Sequence, residues 1–231
     1  MIISEKRNIT KAHMKNIPRI FVGNDVAAGI KIPAPRDAAH YLTRVMRGRE
    51  FLAFGGGNEF YATISDDGKM FFIGDKTNHG DVMRDITLYF APIKKTDELL
   101  NMATQMGVSR FIPVITEHTV AKNINWERMH RIVIEASEQS NRNTVPEISD
   151  TIQFGDLDHA NIVFADERAS RGRDLPQRMQ SNNILVGPEG GLSDAEFMTL
   201  DKCGAHGISL GHNILRAELA AVIAIDRICN E

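Results

Sequence analysis

The sequence has 231 residues, 42% hydrophobic and 25% charged, enough for a sizeable core in one or two domains. No apolar run approaches the roughly 18 residues needed to cross a membrane, and the basic opening MIISEKRNITKAHMKNIPRI lacks a signal-peptide apolar segment. The two cysteines, Cys203 and Cys229, form neither a metal spacing nor a disulfide framework, which suits a reducing cytoplasm.

The net charge of -3 conceals an asymmetry. Residues 1–49 hold ten Lys/Arg against three acids, a surplus of seven, so the remainder carries -10. Such a basic segment is either a solvated surface or the part of the chain that meets phosphates.

In chain order, RIFVG, EFLAFGGGNEFYATI and KMFFIGD read as short alternating strands. The glycines of FGGGNEF lie between two apolar alternations and open no helix. They predict a hairpin turn rather than a dinucleotide loop, and the segment as a whole predicts a small β-barrel. The chain divides near residue 84. Beyond it, ITLYFAPI predicts a buried strand, and Leu99, Ala103 and Met106 mark a helix face that Gly107 ends. RFIPVIT predicts the next strand, Ile132 to Gln139 continue a helix, and NIVFAD and NILVG predict two further strands. Ser193 with Glu196 forms a capping box for a helix ended by Gly204. GISLG is the last strand. Leu215, Leu219, Val222, Ile225 and Cys229 predict the core stripe of the final helix. Alternating βα units imply a parallel sheet, with ligands bound beyond the carboxyl ends of its strands.

Two loops lie at such ends, GPEGG and LGHNILR. No phosphate-loop lysine, nucleophile elbow or metal-ligand spacing is present, so no metal is expected. Glu189 in the first loop would repel a bare phosphate. Backbone exposed by the glycines can read an adenine edge, and a carboxylate tolerates a cationic ligand. A nucleoside with a positive centre, such as S-adenosylmethionine, fits these loops. So does the plainer reading that both are tight βα turns.

ILVGPEGGLSDAEF, SLGHNILRAELAAVIAI, EASEQSNRNTVPEI and HYLTRVMR resemble the RsmE-type family of bacterial methyltransferases, in the SPOUT superfamily, over nearly the whole chain from about Met14. These enzymes methylate N3 of a uridine in small-subunit ribosomal RNA. The resemblance implies an α/β protein with an N-terminal PUA-like RNA-binding β-barrel over 14–84. It further implies a SPOUT methyltransferase domain over 85–231 ending in a trefoil knot, and residues 1–13 become an extension. It implies a cytoplasmic homodimer that uses S-adenosylmethionine and acts on small-subunit RNA, naked or in the assembled 30S particle. The cofactor would be held by Ala165, Leu185, Gly187, Pro188, Glu189, Gly190, Gly191, Leu210, Gly211, Asn213, Ile214 and Leu215. Arg216, Arg142 and Glu138 are the candidate catalytic residues, with a salt bridge to Glu218 as the alternative role for Arg216. Arg19, Arg44 and Arg47 are the candidate RNA contacts.

The sequence departs from the family pattern at Met102, Gln105, His118, Asn213 and Leu219. Gln105 and His118 stand where the family has opposite charges, which suggests a charged pair turned neutral. Asn213 removes a cation from the cofactor loop. Two alternatives follow: an RNA-binding knot protein with little or no catalysis, or a related methyltransferase with another RNA target.

Overall fold

The computed structural model describes residues 17–82, 84–120, 123–173 and 181–230. The expected extension, residues 1–13, lies outside them. The chain forms two compact units, one of Met1–Asp81 with Asn141–Thr144, the other of Val82–Ser140 with Val145–Glu231. Nothing in the sequence pattern suggested that Asn141–Thr144 would join the first unit.

The first unit is a five-stranded sheet of β1 (Arg19–Phe21), β2 (Lys31–Pro33), β3 (Glu50–Gly55), β4 (Asn58–Ile64) and β5 (Met70–Lys76), in the order β1-β3-β4-β5-β2. β1 runs parallel to β3 and the other neighbours are antiparallel. The pairing is an open path, so the described strands make a half-barrel. The β3–β4 hairpin closes at the Gly55–Asn58 pair. Gly56 and Gly57 both adopt positive φ (55° and 79°), the geometry a tight hairpin needs. A side chain at Gly56 would sit 2.3 Å from the Asn24 carbonyl oxygen. Inward residues Ile20, Phe51, Ala53, Phe60, Ala62, Phe71 and Ile73 form the core with Leu42. Leu42 arrives on α1 (Arg36–His40) and the wider helical turn Tyr41–Val45 that continues it.

The second unit is a parallel sheet flanked by helices. It comprises β6 (Thr87–Phe90), α2 (Thr96–Gln105), β7 (Arg110–Ile115), α3 (Trp126–Gln139), β8 (Glu147–Ile148) and β9 (Ile152–Gln153). β10 (Val163–Ala165), β11 (Asn183–Val186), α4 (Asp194–Cys203), β12 (His206–Ile208) and α5 (Ala217–Asn230) complete it. The strand order is β12-β10-β11-β6-β7-β8, with β9 also on β7, and every pair is parallel. Period-two alternation sends side chains to both faces. Leu88, Phe90, Ile184 and Val186 pack with residues of α2, α3 and α5, whereas Leu185 and Phe164 pack with Phe197 and Leu200 of α4. The predicted parallel α/β architecture is therefore present.

α3 starts at Trp126, where the Asn125 side chain accepts the Arg128 N–H (3.0 Å) and caps it, and runs on through the expected Ile132–Gln139 stretch; α5 differs from expectation in part. On α5 the predicted stripe holds in part: Ile225 is buried and Cys229 packs against the core, but the rest of the buried face is Ala217, Ala220, Ala221 and Ala224. Leu215 precedes the helix, and Leu219 is 44% exposed. Alanines let α5 approach β10 and β11 closely, which a large-residue stripe would prevent.

Candidate functional site

Because β10 lies between β11 and β12, the loops leaving these three strands stand side by side at the carboxyl end of the sheet. They enclose a cavity of about 270 Å³. The first wall is GPEGG. Its turn is closed by the Gly191 N–H donating to the Pro188 carbonyl (2.9 Å), with Gly191 at φ 73°. A Cβ on Gly191 would lie 2.7 Å from Glu167 Oε1, and one on Gly190 would lie 3.2 Å from the His118 side chain. The turn then feeds α4 through the predicted capping box. The Ser193 N–H donates to Glu196 Oε2 (2.8 Å) and the Glu196 N–H to Ser193 Oγ (3.3 Å). The Glu117 N–H takes the other oxygen of this buried carboxylate (2.9 Å), tying the loop after β7 to the start of α4.

The second wall is the loop after β10. Asp166 is 3% exposed and accepts from Arg168 Nε (2.8 Å) and Nη2 (2.7 Å). The same guanidinium donates to Asp201 and lies 3.9 Å from the centroid of the Phe197 ring, on α4. Hydrogen bonds from Arg168 hold the Asp201 carboxyl below its ordinary value, with burial opposing and Arg173 assisting. The third wall is LGHNILR with the first turn of α5.

Of the cofactor residues expected from sequence, Ala165, Gly187, Pro188, Glu189, Gly191, Leu210, Gly211, Asn213, Ile214 and Leu215 line this cavity, as does Arg216. Leu185 does not: its position in β11 points it into the α4-side core. Gly190 turns toward His118. Sequence reasoning missed Asp166, Glu167 and Ser170 from the loop after β10, together with Leu192, Phe197, Ala217 and Ala220. The strand-end rule could have found the first group, because NIVFAD was recognised as a strand but its exit was not followed.

The charges on the walls are not equivalent. Glu189 Oε1 accepts the Lys94 N–H (3.1 Å), so the acid that singled out GPEGG ties this loop to the β6–α2 connection. Glu218 lies 3.7 Å from Lys95 Nζ. That answers the salt-bridge alternative for Arg216, because among the described residues Arg216 has no ion pair and Glu218 is engaged by lysine.

Glu138 and Arg142 do not line the cavity. Glu138 sits half-buried on the last turn of α3. Arg142 belongs to the first unit, where its Nη2 donates to Thr144 Oγ1 (3.3 Å); burial pulls its guanidinium below the ordinary arginine value, with Asp81 opposing. The Arg19 side chain is 8% exposed and donates to Glu59 Oε2 (2.9 Å), the Arg142 carbonyl (3.0 Å) and Asn143 Oδ1 (2.6 Å), over the Phe54 ring at 4.5 Å. In that place Arg19 is a buried structural cation, which leaves little of it exposed for the expected RNA contact. Arg44 and Arg47 are exposed and line a groove with Thr43, Arg49 and Ser65, beside exposed Tyr41, Val45 and Met46. The suggested Gln105–His118 pair does not form a hydrogen bond. Gln105 donates to Asn101 (2.7 Å) on its own helix, and His118 Nδ1 lies 3.2 Å from the Gly191 carbonyl oxygen.

Comparison with known proteins adds the following. Residues 81–229 match the model of the RNA methyltransferase domain family. The chain is 34% identical to the ribosomal RNA small subunit methyltransferase E of Rickettsia conorii, over 91% of this chain and 94% of that protein. With the protein of the same name from Synechocystis it shares 31% identity, over 82% of this chain and 69% of the relative. The crystal structure of the Neisseria gonorrhoeae ribosomal RNA small subunit methyltransferase E bound to S-adenosyl methionine superimposes with a TM-score of 0.79. That match has 25% identity and covers 92% of this chain and 96% of the other.

Proposed function

The chain belongs to the RNA methyltransferase family, of the small-subunit methyltransferase E type, and from this we propose that it methylates N3 of one uridine in small-subunit ribosomal RNA, with S-adenosylmethionine as methyl donor. The observation that carries the reading is the cavity at the end of β10, β11 and β12. It offers glycine-exposed backbone, an apolar floor of Leu192, Phe197, Ala217 and Ala220, carboxylates, and among the described residues a single cation, Arg216. This donor set suits an adenosyl group bearing a positive sulfur and not a nucleotide phosphate. Backbone of GPEGG and of residues 210–215 would hold the cofactor from its two sides.

The cofactor supplies an electrophilic methyl group. The protein must align uridine N3 with it and accommodate the negative charge that N3 deprotonation spreads onto the uracil oxygens. Arg216 lines the cavity, is exposed and has no ion pair among the described residues, so its guanidinium is available for that charge. Arg142 and Glu138 are assigned supporting parts. The fold reading accompanies the function: the first unit as a PUA-like barrel, and the second as a SPOUT domain closed by a C-terminal knot. Arg44 and Arg47 with Tyr41 present cations beside an aromatic ring, the combination that tracks single-stranded RNA. A homodimer would cover Ile214 (62% exposed) and Leu219, apolar groups at and beside the cavity.

Mass mapping of small-subunit RNA from cells lacking the protein tests the assignment. One uridine is expected to lose its N3 methyl group; survival of every uridine modification would overturn the substrate.

A further inference from the structure

Of the three acids on the cavity wall, two are engaged. Asp166 is held by Arg168, and Glu189 accepts the Lys94 N–H. Glu167 is the third. Its carboxylate has no hydrogen bond or ion pair among the described residues, yet it is half-buried and lines the cavity. Its place is fixed from two sides. Glu167 opens the short helical turn Glu167–Arg171, which the Asp166 side chain caps by accepting the Arg168 N–H (3.0 Å); Ser170 Oγ donates back to the Glu167 carbonyl (2.7 Å). Across the cavity wall the carboxylate lies so close to Gly191 that a Cβ there would be 2.7 Å from Oε1. The neighbouring cation, Arg168, is turned toward Asp166 and Asp201. A partly desolvated carboxylate without donors is costly unless a ligand supplies them.

The strand order says which part of a ligand does so. β10 stands between β11 and β12. A group just beyond the end of β10 therefore meets the middle of any ligand that reaches from GPEGG to LGHNILR. In S-adenosylmethionine the middle is the ribose, with adenine on one side and the methionyl tail on the other. A vicinal diol presents two O–H donors to the two oxygens of one carboxylate, as acidic residues do for ribose in dinucleotide sites. The sulfonium presents no donor at all. We propose that Glu167 is the ribose-reading residue of this site, accepting hydrogen bonds from the cofactor diol. The inference rests on the S-adenosylmethionine reading given above.

Calorimetric titration of the full chain with two ligands tests it. One is S-adenosylmethionine. The other is 5′-methylthioadenosine, which keeps the adenine and ribose but has neither the positive sulfur nor the amino-acid tail. Glu167→Ala is expected to weaken both about 30-fold, and Glu167→Gln both about fivefold because the amide keeps one acceptor. Thermal melting of each variant confirms that it is folded. Weakening of S-adenosylmethionine alone would place Glu167 at the charged tail and overturn the proposal, as would unchanged binding of both. If the unsubstituted protein binds neither ligand, the cofactor reading itself fails and this inference falls with it. If the unsubstituted protein binds both and only the Glu167 result is negative, that reading stands and this inference alone fails.

Discussion

Replacing Arg216 by alanine is expected to slow methyl transfer about 100-fold while changing the dissociation constant of S-adenosylmethionine less than about threefold. The expectation follows from how the charges around α5 are distributed. Glu218, two residues on, is buried and lies 3.7 Å from Lys95 Nζ, and Lys95 also donates to Glu98 (2.7 Å). Arg216 is left lining the cavity with no carboxylate partner among the described residues. An unpaired guanidinium interacts most strongly with charge that appears only as the uracil ring loses its N3 proton, so its removal lowers the rate more than ground-state binding. Arg216→Lys should fall between, because a lysine supplies the charge without the planar fork. Single-turnover rates and calorimetry on the same preparations separate the effects. A loss of cofactor affinity as large as the loss of rate would make Arg216 a cofactor-holding residue instead.

Arg19→Ala is expected to destabilise the first unit by about 3–5 kcal/mol, the cost of leaving a buried charge without its partner. Glu59 is 3% exposed; among the described residues its carboxylate would keep only the Thr77 hydroxyl (2.8 Å) as a partner once Arg19 Nε is gone. The substitution also removes the donors to the Arg142 carbonyl and Asn143 Oδ1, which bind the inserted segment 141–144 to the half-barrel. Glu59→Gln should cost less, since a neutral amide can still accept from Thr77. Hydrogen exchange of β3 and β4 reports the change. Arg44→Ala is the contrasting case: unchanged stability, weaker RNA binding and a shallower salt dependence. If Arg19→Ala behaved like Arg44→Ala, the structural assignment of Arg19 would be wrong.

Local rules reached far into this fold. The capping box at Ser193 and Glu196, the glycine-ended helices and the double-glycine hairpin each depend on neighbours within a few residues, and all three are where the residue pattern placed them. The sheet was legible for the same reason, as apolar runs alternating with helical periods. What was not legible depended on distant partners. Of the stripe predicted for α5, Ile225 and Cys229 pack against the core but Leu219 is exposed, because the face that packs is set by how near the helix must come to β10 and β11. That distance selected alanines. Arg19 read as a surface cation because nothing local shows that Glu59 and Asn143 would surround it from 40 and 124 residues away. The same holds for Glu189. Its charge singled out a loop that lines the cavity, but its hydrogen bond goes to Lys94, 95 residues distant. Glu167 and Asp166 were not legible because GPEGG and LGHNILR carry glycines at strand ends and the start of the loop after β10 does not; only the strand order shows that it completes the cavity.

The central claim is that this chain transfers a methyl group from S-adenosylmethionine to one uridine of small-subunit ribosomal RNA. The direct measurement supplies purified protein with labelled S-adenosylmethionine and small-subunit RNA from cells lacking the protein, either naked or as assembled subunits, then maps the label by mass. The account predicts about one methyl group per RNA, on N3 of a single uridine, and none on RNA from cells that retain the protein. Absence of transfer to either form, or label on a different base or atom, would contradict it.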